Sequence, residues 1–365
     1  MTANNQRLLS LDALRGLTIM FMILVNNPGS WSYVLPPLAH AQWNGCTPTD
    51  LVFPFFLFIV GAAMAFSLSK YYNAATSLRP VYRKIIRRTF ILFLLGFILN
   101  LVFKFDFSTV RIPGVLQRIA LSYFFAAIII IHFKQRTQIF ISVGLLLLYF
   151  ILMVFIPFEG KGIGHWLYES NFAKYFDRLI LKGHTWKTDF DPEGIVSTLT
   201  AIVTTMSGYF TGLWLRTKAD ENVKIIKLFI AGNFAIVGGL FLEYWIPINK
   251  SLWTVSYVFY TSGIALNFLA IFYWFVDIQG KHYLARPFII FGSNAITVYF
   301  LSSLTAKMLY SIQVGTNSLQ GLIYGGALKP LFGPWSASLI YALLYILIWY
   351  GLAHLMYKRK IFIKI

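Results

Sequence analysis

Ten stretches of about 20 mainly apolar residues follow one another along this chain of 365 residues, and they leave room for few folds. They run roughly from 11 to 30, 50 to 69, 85 to 103, 113 to 132, 138 to 157, 194 to 215, 225 to 246, 252 to 275, 287 to 309 and 335 to 356. Wound as a helix, a segment of that length satisfies its own backbone hydrogen bonds and crosses the hydrocarbon core of a bilayer. In an open strand the same groups would be left bare in lipid. With 58% hydrophobic, 18% aromatic and only 12% charged residues, the chain also lacks the polar surface that a soluble protein of this size needs. The expected fold class is all-α: a polytopic membrane protein, a bundle of about ten transmembrane helices, with residues 1–365 as a single transmembrane domain. The first run has no small-x-small cleavage site after it, so it reads as a span and not as a cleavable signal peptide.

A net charge of +18 would suggest nucleic acid in a soluble protein. Here the basic residues gather on alternate loops: Arg79, Arg83, Lys84, Arg87 and Arg88, then Lys134 and Arg136, then Arg216, Lys218, Lys224 and Lys227, and finally Lys358, Arg359 and Lys360. Basic residues concentrate on cytoplasmic loops, so this pattern predicts that both termini are cytoplasmic and makes nucleic acid an unneeded partner. The opposite face then receives the loop holding His40 and the one sizeable polar segment, at about 158–193. That segment carries His165, His184, Asp177, Asp189, Asp191 and Glu193 among lysines, arginines and aromatic rings. Long loops of this kind are often functional lids, and aromatic faces beside acids suit a sugar. An interfacial aromatic belt is the plainer reading of the rings. In the DPEG sequence the plainer reading is a helix start, with Asp191 as N-cap, Pro192 in the first helical position and Glu193 in the first turn. Within the spans, Asn100, Asn233, Asn267 and Asn294 are expected to tie helices together, with Gly232, Gly238 and Gly239 allowing close approach. Arg118, Glu243 and Lys307 are expected near outer span ends, paired or snorkelling.

The first hairpin holds the densest set of candidate groups. The apolar run ending at Asn26 and Asn27 and the run starting at Asp50 enclose a short polar loop, and Asp12, Arg15, Asn26, His40 and Asp50 cluster about them. Ionisable groups at membrane depth are costly, which marks this hairpin as a site. Histidine, with an unperturbed pKa of about 6.5, can take and return a proton near neutrality. The single cysteine, Cys46, excludes an internal disulfide, and the six histidines show no metal-ligand spacing, so no metal is implied. No GxGxxG, Walker, HExxH, CxxC or GxSxG sequence offers a soluble-enzyme route to activity.

Several separated segments carry a resemblance: RLLSLDALRG, the VNN closing the first run, HAQWNGCTPTDLVFPFFLFIVG, RIPGVLQR at Arg111 to Arg118, DPEG at Asp191 to Gly194, NKSLWTVSYV, SNAITVYF and the C-terminal KRKIFIKI. In this order they resemble the heparan-α-glucosaminide N-acetyltransferase family, in the compact bacterial form without a lumenal N-terminal domain. The resemblance implies acetyl transfer from cytoplasmic acetyl-CoA, as co-substrate, to the amine of a glucosamine-type sugar outside the cytoplasm. It implies a multi-pass location in a bacterial inner membrane, lipid contact, and a homodimer. It places the catalytic histidine at His40 with Asn26 as its neighbour. His40 would act as general base, or would itself be transiently acetylated. Asn26 would donate to the oxyanion or hold the imidazole tautomer. Arg83, Lys84, Arg87 and Arg88, with Arg15, are the candidates for the CoA phosphates, since arginine forks match phosphate oxygens. Asp50, Trp43, Asp191 and Glu193 are the candidates for the sugar. A transporter of amino sugars or their acetylated forms is the alternative, because polar midplane groups and many glycines suit it as well. An O-acyltransferase acting on a cell-envelope glycan is a third.

Overall fold

The computed structural model describes residues 8–68, 71, 78–102, 105–160, 166–187 and 189–363; His165, Lys161, Lys70 and Lys364 lie outside the described residues. It is built almost wholly of helices: α1 (Leu9–Asn26), α2 (Val52–Ser67), α3 (Arg79–Leu101), α4 (Val115–His132), α5 (Gln135–Phe155), α6 (Phe172–Leu181), α7 (Ile195–Leu215), α8 (Glu221–Leu242), α9 (Val255–Phe272), α10 (His282–Ser293) and α11 (Ala295–Ser311). A two-stranded hairpin, β1 (Gln313–Val314) and β2 (Asn317–Ser318), leads through the short α12 (Leu319–Gly321) and α13 (Lys329–Phe332) to α14 (Pro334–Lys358).

A helix occupies each of the ten predicted apolar positions. Among the described residues, seven segments are long and apolar enough to cross a bilayer, and a bent pair brings the number to as many as eight. α3 and α7 have the length but not the apolarity, because α3 opens with Arg79, Arg83, Lys84, Arg87 and Arg88 and α7 carries seven serines and threonines among its 21 residues. The predicted span from 287 to 309 is not one helix. It breaks at Asn294 into α10 and α11, bent by 70°. There Asn294 leaves helical geometry (φ −128°, ψ 36°), donates its side-chain amide to the Ile361 carbonyl and accepts from the Ile363 N–H, so its side chain bonds the C-terminal tail.

The residues form two compact units. One contains 42–46 and 54–271. In it α2 and α7 approach so closely that a Cβ on Gly61 would lie 1.8 Å from the Thr205 carbonyl oxygen, and one on Gly208 would lie 1.9 Å from that of Phe58. Small residues at such crossings let backbones touch where lipid gives no hydrophobic drive. Gly232 and Gly239 pack against α9 as expected, whereas Gly238, expected to do the same, meets open space. The other unit contains 8–41, 47–53 and 272–363. Its organising contact is α1 against α10, where Gly16 abuts the Phe288 carbonyl and Gly292 abuts that of Asp12. Asp277, at the end of the π-helical extension of α9 (Tyr273–Ile278), accepts from the Leu9 and Ser10 N–H groups, two donors that the first turn of α1 cannot satisfy internally.

Candidate active site

The chain leaves α1 at Asn26, whose side chain is exposed, and Asn27 bonds back to the Ile23 carbonyl. The next three residues are held by the start of α14 and by α12: the Gly29 N–H donates to the Ser338 carbonyl, the Ser30 N–H donates to the Ser338 hydroxyl, and Gln320 donates to the Pro28 carbonyl. A short 3₁₀ turn, Pro36–Leu38, then presents His40, and a second, Pro48–Leu51, leads into α2. This second turn is where local sequence determines the site. Thr47-Pro48-Thr49-Asp50 is a capping sequence before an apolar run, and Asp50 turns its carboxylate back to the N-cap N–H of Thr47 at 3.0 Å.

That same carboxylate, only 1% exposed, takes the His40 ring. Asp50 Oδ1 lies 2.7 Å from His40 Nδ1, while Oδ2 accepts from the Ala41 and Thr47 N–H groups, each at 3.0 Å. The His40 side chain is 47% exposed. A carboxylate on Nδ1 fixes the proton there, makes Nε2 the basic nitrogen and stabilises the imidazolium when it forms. Asp50 is thus buried beneath the loop and bonded to the imidazole and to two backbone donors.

The other sugar candidates belong to the other unit. Trp43 donates its indole N–H to the Trp166 carbonyl and packs edge-on against Tyr168 and Phe190, which places it in an aromatic core. Asp191 is buried and forked by Arg111, whose Nε and Nη2 reach the two carboxylate oxygens at 2.7 Å; Arg111 also pairs with Glu193. Burial opposes the charge of Arg111, but Glu193 and Asp191 outweigh it and raise the guanidinium above its ordinary range. Both acids thus face Arg111. Asp191 is not the N-cap that its place in DPEG predicts. It accepts from the Trp186 and Glu193 N–H groups, and α7 starts only at Ile195. The fork to Arg111 draws the carboxylate away from the helix axis.

The group that receives the first N–H of α7 is Asp177, from α6, at 2.9 Å from Ile195 N. Sequence reasoning counted Asp177 only among the loop acids, and no spacing links it to a helix start 18 residues on. Burial pushes its carboxyl up to about 7, helped by neighbouring Asp191 and opposed by the Ile195 N–H and the charge of Arg118. The native state thus keeps this proton up to about pH 7, whereas the unfolded chain releases it near 3.8. Between those values the folded form binds more protons, so stability falls as pH rises, by up to roughly 4 kcal/mol over the whole window. Asp177→Asn keeps an acceptor for Ile195 and removes the titration. Thermal unfolding in detergent from pH 4.5 to 8.5 is expected to show the wild type losing stability relative to this variant as pH rises; a constant difference would refute the assignment. Arg118, inside α4, is 1% exposed; it donates to the Gly194 carbonyl, pairs with the Ser197 hydroxyl and covers the Trp253 ring at 5.1 Å.

The basic candidates fall on α1 and α3. Arg15 pairs with Asp12 at 2.9 Å. Arg83, Lys84 and Arg87 are exposed along α3, and Arg88 lies over the Tyr123 ring at 4.5 Å, its Nε buried with no hydrogen-bond partner among the described residues.

Among the described residues, seven helices long and apolar enough to cross a bilayer define a helical multi-pass membrane protein, and a histidine–carboxylate pair lies in the loop after the first of them. A domain family of unknown function, DUF5009, matches residues 7–172. Over 80% of its length the chain is related to heparan-alpha-glucosaminide N-acetyltransferase, with 30% identity to both the mouse and the human protein. It spans about half the length of those curated relatives, 53% of the mouse and 52% of the human sequence.

Proposed function

We propose that this protein is a transmembrane N-acetyltransferase that moves acetyl from cytoplasmic acetyl-CoA to the amine of a glucosamine-type sugar on the other side of a bacterial inner membrane. The observation that carries the reading is the His40–Asp50 pair in a chain related to N-acetyltransferases. An amine attacks a thioester only through its unprotonated nitrogen. In this reading His40 Nε2 takes the amine proton as the new C–N bond forms and the C–S bond breaks, and it then returns that proton to the departing thiolate. Asp50 stabilises the imidazolium between the two steps. Asn26 is assigned to the oxyanion, to which a neutral amide donates without a charge to bury. The exposed basic face of α3, with Arg15, is assigned to the CoA phosphates. We read all ten apolar helices as spans, α10 and α11 together forming a bent one, with both termini cytoplasmic.

The test is to incubate the purified protein with radiolabelled acetyl-CoA and glucosamine beside His40→Ala. Labelled N-acetylglucosamine is expected from the wild type, and at least ~100-fold less from the variant. Equal transfer by both would remove His40 from the chemistry. Uptake of sugar into vesicles by both, without dependence on acetyl-CoA, would replace the enzyme by a transporter.

A further inference from the structure

The amphipathic helix α6 has more apolar surface than the protein covers. Its sequence FAKYFDRLIL, at 100° per residue, puts Phe172, Ala173, Phe176, Leu179 and Ile180 on one arc and Lys174 and Arg178 on the other. Asn171 caps the helix start by accepting the Lys174 N–H, and Asp177 fixes its middle on the first N–H of α7. Phe172 and Ala173 are consequently buried, but along the same arc Leu179 stays 55% and Ile180 52% exposed. The arc continues past the core that it packs on.

What lies against the uncovered half follows from where α6 sits and from its charges. The helix joins the end of α5 to the start of α7, and the connection from α3 to α4 is tied to it: the Ile112 N–H donates to the His184 carbonyl, and His184 Nδ1 lies 2.8 Å from the Val110 carbonyl. Two further aromatic rings are exposed on the adjoining segments, Phe107 on that connection and Trp186 after α6, with Lys182 exposed beside the helix end and Arg178 pairing with Glu159 on the opposite arc. Apolar residues flanked by long cations are suited to the boundary between acyl chains and phosphate headgroups, where the rings sit at headgroup level and the cations reach the phosphates. We propose that α6 is an interfacial anchor, lying in the plane of the outer bilayer surface with Leu179 and Ile180 in the headgroup–acyl boundary. The anchor stands whether or not the protein transfers acetyl groups.

Ile180→Cys in a Cys46→Ser background can carry an environment-sensitive NBD label in vesicles of phosphatidylethanolamine and phosphatidylglycerol, with Lys182→Cys as the comparison. The label at 180 is expected to be quenched several-fold more strongly than the one at 182 by lipids with a nitroxide high on the acyl chain, and several-fold less by aqueous iodide. Strong iodide quenching at 180 would overturn the proposal by leaving the helix in water. Shielding from both quenchers would also overturn it, since the patch would then be covered by protein, such as a second copy of this chain.

Discussion

Asp50→Asn is expected to lower acetyl transfer by about two to four orders of magnitude while leaving the protein folded. The size of the effect follows from which oxygen holds what. Asp50 Oδ2 accepts from two backbone N–H groups, those of Ala41 and Thr47, so an asparagine must place its only oxygen there. Its amide nitrogen then occupies the position of Oδ1 and presents a donor to His40 Nδ1, which the carboxylate now approaches at 2.7 Å. The imidazole can meet that donor only by moving its proton to Nε2, which leaves the nitrogen assigned to the amine without a lone pair to accept with. The loss should therefore appear in kcat far more than in KM, with an unfolding temperature close to wild type because the capping bond to Thr47 survives. Asp50→Ala removes the cap as well and should lower both activity and stability. Asparagine retaining a tenth or more of the activity would show that the carboxylate does not set the tautomer.

How far the chain could be read in advance depended on the range of the interaction. All ten apolar runs became helices, because in a chain this apolar the length of a run decides the matter. The bounds of two of these runs were legible to within two residues: those predicted at 113–132 and 194–215 became α4 (Val115–His132) and α7 (Ile195–Leu215). The misreadings came where a distant partner outbid a local preference. Asp191 has the sequence setting of an N-cap, but Arg111, 80 residues earlier, takes its carboxylate, and Asp177 supplies the acceptor instead. Asn294 sits in an unbroken apolar pattern, and its bonds to Ile361 and Ile363 end the helix there. Asp50 lies between these cases: its capping sequence is visible within four residues, whereas its bond to His40 depends on the fold of the loop between them.

Arg111→Ala should produce the largest loss of stability among these variants. The guanidinium is the cation bonded to Asp191, whose side chain is fully buried, and to Glu193, whose side chain is 9% exposed. Removing it strands two buried carboxylates, and breaking a buried pair by deleting one partner costs about 3–5 kcal/mol, much more than the pair itself contributes. The loss also reaches the fold of the segment before α7, since the pair links the residues before α4 to those before α7. Arg111→Lys keeps the charge but cannot fork both oxygens of Asp191 while reaching Glu193, so it should fall between alanine and wild type. Arg178→Ala is the control: its partner Glu159 is substantially exposed, and an exposed pair contributes about 1 kcal/mol or less. Denaturant unfolding in detergent of the three variants should thus give the order Arg111→Ala, Arg111→Lys, Arg178→Ala from most to least destabilised. The double variant Arg111→Met with Asp191→Asn separates lost attraction from stranded charge. If stranded charge dominates, the double variant should be more stable than Arg111→Ala although it retains none of the ion pair with Asp191, and an additive loss would argue that the fork itself holds the two helix starts together.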